Sequence, residues 1–212
     1  MIARESVPFL LITGVPTLVL GVYGQHSGSV WAVGVCGLLF ALTAFIAFFF
    51  RDPERTPPEG ERNCIASGDG KVVAISEVED DWVGKAVQVS IFLSVFNVHV
   101  NRVPCSGLVS AVDYHPGKFR LAFLDKASED NEHTIVRIEG SQFRTAVKQI
   151  AGFVARRIVC RLDTGQTIAG GERFGLIRFG SRIDHILPEG SEVKIALGDH
   201  VKAGETVIGV FQ

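Results

Sequence analysis

Residues 6 to 50 of this 212-residue chain contain no Asp, Glu, Lys or Arg. Of its 21 basic and 23 acidic side chains, only Arg4 and Glu5 precede Arg51. An uncharged block of that length stays in water only if a large domain surrounds it, and the rest of the chain, with an ordinary soluble charge density, is too small and too strand-like to do so. Two apolar runs lie inside the block, Val7 to Tyr23 and Val30 to Phe50. Roughly 20 helical residues at about 1.5 Å each cross a ~30 Å hydrocarbon core, so the expectation for residues 1–50 is a hairpin of two transmembrane helices, about 7–23 and 30–50. A cleaved signal peptide fits less well, because a second, longer span follows and no small-residue cleavage site precedes a soluble start. The connection from Gly24 to Ser29 has no Lys or Arg, whereas Arg4 precedes the first run and Arg51, Arg55 and Arg62 follow the second. By the positive-inside rule both ends of the hairpin face the cytosol, which puts the protein in the cytoplasmic membrane with its soluble domain inside.

A net charge of −2 and a pI near 6.3 offer no basic field for nucleic acid, and an apolar fraction of 47% excludes a disordered chain. Cys36, Cys64, Cys105 and Cys160 form no C-x-x-C pair and no Cys/His cluster of zinc-like spacing. They read as reduced, buried thiols, and no metal is expected.

Residues 51–62 begin Arg51-Asp52-Pro53-Glu54-Arg55-Thr56-Pro57-Pro58, a charged, proline-rich linker. From residue 63 onward, short runs of alternating apolar and polar residues recur: Lys71–Ser76, Ala86–Phe92, Gly107–Asp113, His133–Glu139, Ile158–Leu162, Glu192–Leu197 and Thr206–Phe211. Period-two runs between turn residues such as Gly68-Asp69-Gly70 and Pro188-Glu189-Gly190 predict a mainly antiparallel β domain over residues 63–212. A helix fits between Ser141 and Arg157, although Val147–Ala151 suits a strand equally. The tail from Leu187 to Thr206 resembles the hairpins of biotinyl and lipoyl carrier domains, which implies a barrel-sandwich architecture. Lys202 is offset from the modified-lysine position, so the likeness bears on fold alone.

Five stretches carry a wider resemblance: Phe49-Phe50-Arg51-Asp52-Pro53-Glu54-Arg55; Ser67-Gly68-Asp69-Gly70-Lys71-Val72; Phe92-Leu93-Ser94-Val95-Phe96-Asn97-Val98-His99-Val100-Asn101-Arg102-Val103-Pro104; Gln149-Ile150-Ala151-Gly152; and Gly175-Leu176-Ile177-Arg178-Phe179-Gly180-Ser181-Arg182. In this order they resemble the phosphatidylserine decarboxylase family, in its short two-helix, archaeal-type subgroup. The resemblance implies a membrane-anchored carboxy-lyase that makes phosphatidylethanolamine and carbon dioxide from phosphatidylserine. It also implies a zymogen that cuts itself between Gly180 and Ser181 into a β chain, residues 1–180, and an α chain, residues 181–212, which remain together as a heterodimer. The cofactor is then a covalent pyruvoyl group derived from Ser181, with no pyridoxal phosphate and no metal. Chemically, Gly180 offers an unhindered carbonyl next to a hydroxyl nucleophile that needs a base. The ketone so formed would condense with the substrate amine and accept the electrons released as carbon dioxide leaves.

By the same resemblance Asp69 assists self-cleavage and His99 acts in decarboxylation. Without it, Asp69 reads as a turn residue and His99 as a half-buried strand histidine. Longer family members have a second histidine three residues after the first, where this chain has Arg102, and their serine-threonine ending is Ser181-Arg182 here. An arginine stays protonated and cannot be a base. Three alternatives stay open: His99 serves both steps, His115 or His185 is recruited, or Asp69 acts directly. The substrate is expected to be a phospholipid, phosphatidylserine or an ether-lipid analogue, whose anionic head group calls for cations such as Arg102, Arg55 or Arg51. The apolar run Ile91–Phe96 could enter the membrane interface or be a core strand. Two other functions compete. A serine hydrolase using Ser181, His99 and Asp69 would lack the G-x-S-x-G elbow, and a non-catalytic membrane-anchored β-barrel binding module would use none of these groups.

Overall fold

The computed structural model describes residues 1–117, 131–152, 157–178 and 180–212. The chain forms two compact units, Met1–Glu54 and Arg55–Gln212.

The first unit is a helical hairpin of α1 (Val7–Ser27) and α2 (Val30–Phe49). The first helix runs four residues past the expected Tyr23, because nothing from Gly24 to Ser27 stops it. It ends where Gly28 takes a left-handed φ of 67°, and Ser29 caps α2 by accepting a hydrogen bond from Ala32 N at 3.4 Å. The two open ends of the hairpin meet through Ala3 N donating to Phe50 O and Asp52 N donating to Met1 O, each at 2.8 Å. Leu11, Ile12, Leu18, Trp31, Leu38 and Phe40 are all more than half exposed. Apolar surface costs roughly 25 cal/mol per Å² in water, and both helices are long and apolar enough to cross a membrane.

The second unit is mainly β, as expected. Its strands are β1 (Asn63–Ile65), β2 (Gly70–Asp80), β3 (Gly84–Leu93), β4 (Val100–Arg102), β5 (Gly107–His115), β6 (His133–Glu139), β7 (Arg144–Ile150), β8 (Ile158–Cys160), β9 (Thr167–Ile168), β10 (Arg173–Ile177), β11 (Ser181–Pro188), β12 (Glu192–Val193), β13 (His200–Val201) and β14 (Val207–Val210). An eight-stranded antiparallel sheet runs β13-β2-β3-β11-β7-β6-β5-β9, and two three-stranded sheets run β1-β14-β12 and β4-β10-β8. The large sheet curls into a half-barrel. Its inner face buries Val72, Val89, Ile91, Leu93, Val136, Ile138, Val147, Ile183 and Leu187 with Phe174 and Phe211. The Cys64 and Cys105 thiols belong to this core, and burial pushes Cys105 up to about 12.

Two expectations need correction. The helix allowed between Ser141 and Arg157 is strand β7 over Arg144–Ile150, with residues 153–156 outside the described part. Both neighbours decide it: β7 pairs with β6 through seven residues and with β11 through five, and those ladders outweigh local propensity. The run Glu192–Leu197 is strand only at Glu192–Val193.

Candidate active site

Strand β11 is one of the two central strands of the large sheet, and its first residue is Ser181. Ser181 pairs with Leu93 of β3, whereas pairing with β7 begins at Arg182, opposite Ile150. The serine is therefore held from one side only, at the edge of the ladder. It is fully buried, and its Oγ has no hydrogen-bond partner among the described residues. Such an orphaned hydroxyl costs stability, and a functional role is one standard reason to retain one. Gly180, just before it, has a φ of 66°, in the left-handed region where a side chain would be strained.

His99 reaches this junction by two routes. A tight turn follows Leu93: Ser94 N and Ser94 Oγ both donate to Asn97 Oδ1, at 2.9 and 2.7 Å, and Asn97 N donates back to Ser94 O at 3.0 Å. That turn returns the chain to His99, one residue before β4. Val100 pairs with Leu176, and continuing that register sets His99 opposite Ile177, three residues before Gly180. The imidazole is fully buried, and its Nδ1 lies 2.9 Å from Asn97 O. A carbonyl oxygen only accepts, so the neutral ring carries its proton on Nδ1 and keeps Nε2 as the basic atom.

Asp69 lies on the far side of β3. Lys71 of β2 pairs with Phe92 and Ser181 of β11 with Leu93. Residues 67–69 bend there, and a Cβ on Gly68 would lie 2.8 Å from Ile183 Cδ1 and 3.1 Å from Leu93 Cδ1, so Asp69 and Gly180 both lie at the Leu93 end of β3. The Asp69 carboxylate accepts from Ala203 N through Oδ1 at 2.8 Å and from Arg55 Nη2 through Oδ2 at 3.1 Å. Arg55 Nη1 also binds Glu205 Oε2 at 3.0 Å. Arg102 is buried, gives Nη1 to Gly171 O at 2.9 Å, and passes so close to Gly204 that a Cβ there would lie 2.5 Å from Arg102 Cδ. Two of the three arginines expected to meet a head group are thus engaged inside the fold, Arg55 with Asp69 and Arg102 with Gly171.

The remaining histidines sit elsewhere. His115 stacks on His133 at 4.7 Å on β5 and β6, with β6 and β7 between its strand and β11. His185 lies four residues along β11 from Ser181, about 13 Å at strand rise. It is fully buried, and its Nε2 accepts from Ser67 N at 3.2 Å. Burial lowers its pKa to about 3. Below an unfolded value near 6.5 the unfolded chain takes up a proton that the folded one refuses, so stability present above pH 6.5 is lost as pH falls toward 3. With about 1.4 kcal/mol per pH unit, the uncut precursor should lose roughly 2–3 kcal/mol through this group between pH 7 and 4.5. Denaturant unfolding of His185→Gln, compared at the two pH values, should show a correspondingly shallower pH dependence; an unchanged one would refute the assignment.

Sequence reasoning missed three parts of the site: the Ser94–Asn97 turn, Glu205 as second partner of Arg55, and the pair formed by Arg182 and Asp184. The Ser-x-x-Asn spacing was a legible turn signal. The two ion pairs join residues far apart in sequence or alternate within a strand, and neither leaves a pattern.

Residues 42–209 match the phosphatidylserine decarboxylase family model. The chain is 46% identical to the phosphatidylserine decarboxylase proenzyme of Geobacter sulfurreducens, covering 99% of this chain and 96% of the relative. Identity is 43% to the proenzyme of Syntrophus aciditrophicus, covering 99% and 97%, and 44% to that of Nitratidesulfovibrio vulgaris, covering 98% and 93%. A chain with this β architecture, the Gly180-Ser181 junction at its central strand and near-full-length relatives of one kind belongs to the phosphatidylserine decarboxylase family.

Proposed function

We propose that this protein is a membrane-anchored, self-processing decarboxylase that converts phosphatidylserine, or an ether-lipid analogue, to the ethanolamine lipid and carbon dioxide. The observation that carries this reading is the junction itself: a buried Ser181 hydroxyl with no hydrogen-bond partner among the described residues, beside a left-handed Gly180, at the one-sided edge of the ladder. A serine hydrolase is less well supported, because Phe179-Gly180-Ser181-Arg182-Ile183 is no G-x-S-x-G elbow.

In the processing step Ser181 Oγ attacks the Gly180 carbonyl carbon, and the acyl group moves from nitrogen to oxygen. Loss of the Ser181 α-proton then expels the Gly180 carboxylate and leaves a dehydroalanine. Water hydrolyses its enamine, releasing ammonia and giving a pyruvoyl group on the new chain, Ser181–Gln212. Glycine at 180 keeps the attacked carbonyl free of a side chain. His99, buried beside β4 with Nε2 as its basic atom, is the group this reading assigns to take and return protons. The Asp69 carboxylate, fixed by Arg55 and Ala203 N, places negative charge at the Leu93 end of β3, where Ser181 pairs. Its contacts support an electrostatic and orienting part rather than proton abstraction, since both oxygens already accept hydrogen bonds.

Once formed, the pyruvoyl carbonyl supplies the electron sink for breaking the carbon–carbon bond of decarboxylation. Residues of this chain do the rest: His99 Nε2 takes up a proton and returns it to the substrate α-carbon. The contacts of Arg55 and Arg102 favour shaping the Asp69 region over binding the head group. The membrane hairpin delivers the soluble unit to its lipid, with Arg51 onward on the cytosolic side of the cytoplasmic membrane. Cysteine labelling in intact cells should find Gln212 inside; external labelling would overturn that orientation. The activity is tested with the full chain in vesicles of phosphatidylserine labelled at the serine carboxyl: release of labelled carbon dioxide is expected, and its absence from a correctly cut preparation would refute the reading.

A further inference from the structure

The ordinary strand alternation sends Ser181, Ile183 and His185 to one face of β11 and Arg182 and Asp184 to the other. Arg182 is only 3% exposed and Asp184 fully buried. Arg182 Nε donates to Asp184 Oδ1 at 2.6 Å, and Arg182 Nη2 donates to Ser90 Oγ at 2.7 Å. Ser90 lies on β3 directly opposite Asp184, and Gln88 Nε2 supports it with a hydrogen bond to Oγ at 3.2 Å. A buried ion pair of this kind is poor value as plain stabilisation, because desolvating both charges offsets most of their attraction. Its placement gives it another use. Arg182 is the residue immediately after the junction, and Ser90 belongs to the other chain once the junction is cut.

Resting on the self-cleavage reading above, we propose that the Arg182–Asp184–Ser90 cluster is a clamp that holds the pyruvoyl-bearing end of the small chain in register after the peptide bond behind it is gone. Before the cut, Gly180 tethers Ser181 and the clamp is redundant. After it, residue 181 is a chain end with ladder bonds to β3 alone, and chain ends fray. A fraying end would carry the reactive carbonyl out of line with His99, and a misplacement of about 1 Å costs on the order of 100-fold in rate. Arg182 joins the first ordinary residue of the small chain, by side chain, to β3 of the large one. Its Nε bond to Asp184 fixes the guanidinium so that the fork can reach Ser90, a geometry Lys cannot reproduce in full. Arg182 is thus a positioning residue, acting through the end it holds.

The clamp makes an unusual demand: its loss should matter only in the cut protein. Arg182→Met, which keeps the stem and removes the charge, and Ser90→Ala, which leaves the ion pair and removes its link to the other chain, are each made in the full-length protein and in the uncut Ser181→Ala background. Intact mass should show both variants cut as the native chain is. Their kcat on phosphatidylserine vesicles should fall about 10- to 100-fold with KM little changed, with Arg182→Lys intermediate. Hydrogen exchange over residues 182–185 should quicken in the cut variants and stay native-like in the uncut ones. Native kcat in both variants, or exchange that quickens equally with and without the cut, would overturn the clamp, as would an Arg182→Met chain that fails to cut. If the native protein itself is never cut, the self-cleavage reading fails first, and the mass measurement separates that failure from failure of the clamp.

Discussion

Ser181→Ala should be recovered as one uncut chain without decarboxylase activity. The substitution removes the only atom able to make the ester and leaves everything else, since Ser181 Oγ makes no hydrogen bond among the described residues. Its burial predicts a folded variant at least as stable as the native precursor, because an orphaned buried hydroxyl costs about 1–3 kcal/mol. The expected loss of activity is complete rather than partial: without the cut there is no ketone to accept the electrons of decarboxylation. Denaturing electrophoresis and a thermal melt check both parts. A cut Ser181→Ala chain would remove Ser181 from the chemistry.

His99→Ala should separate processing from turnover. The neutral ring donates its Nδ1 proton to Asn97 O, which leaves Nε2 to take up a proton and then return it to the substrate α-carbon. General acid–base catalysis contributes on the order of 10² to 10⁴ in rate. The variant should therefore still be cut, at least slowly, yet release carbon dioxide at least ~100-fold more slowly on the same basis. His99→Gln, which keeps a donor for Asn97 O, controls for loss of the buried packing. A chain that stays wholly uncut would make His99 the processing base, taking the place that Arg102 cannot fill. Normal cutting with normal turnover would leave it a structural strand histidine. Cleavage by mass and labelled carbon dioxide release, measured on one preparation, separate these outcomes.

The legibility of the fold in sequence followed which strands have one face in water. His133–Glu139 alternates and was found to the residue, because β6 buries one face more than the other. Alternation does not reveal strand β11, Ser181–Pro188, although it is one of the two central strands of the large sheet. It is buried along nearly its whole length, so it has no polar face to set a period, and its Arg182, Asp184 and His185 look like surface residues until their partners are known. β4 and β10 are short strands that pair across a sequence gap, and local pattern does not show such partners. For the site, the motif order points to Asp69, His99, Gly180 and Ser181; Asp69 and Ser181 begin beside opposite edges of β3, and His99 precedes the strand that pairs with β10. Why Asp69 keeps its charge in place was invisible, because Arg55, Ala203 and Glu205 come from both ends of the domain.

Intact-mass spectrometry of the purified, full-length protein tests the central claim most directly. Two chains are expected, Met1–Gly180 and Ser181–Gln212, with the second beginning in a ketone rather than an amine, so that its mass lies below that of the serine peptide and borohydride raises it by two hydrogens. A single 23.0 kDa chain that releases carbon dioxide from phosphatidylserine would contradict it.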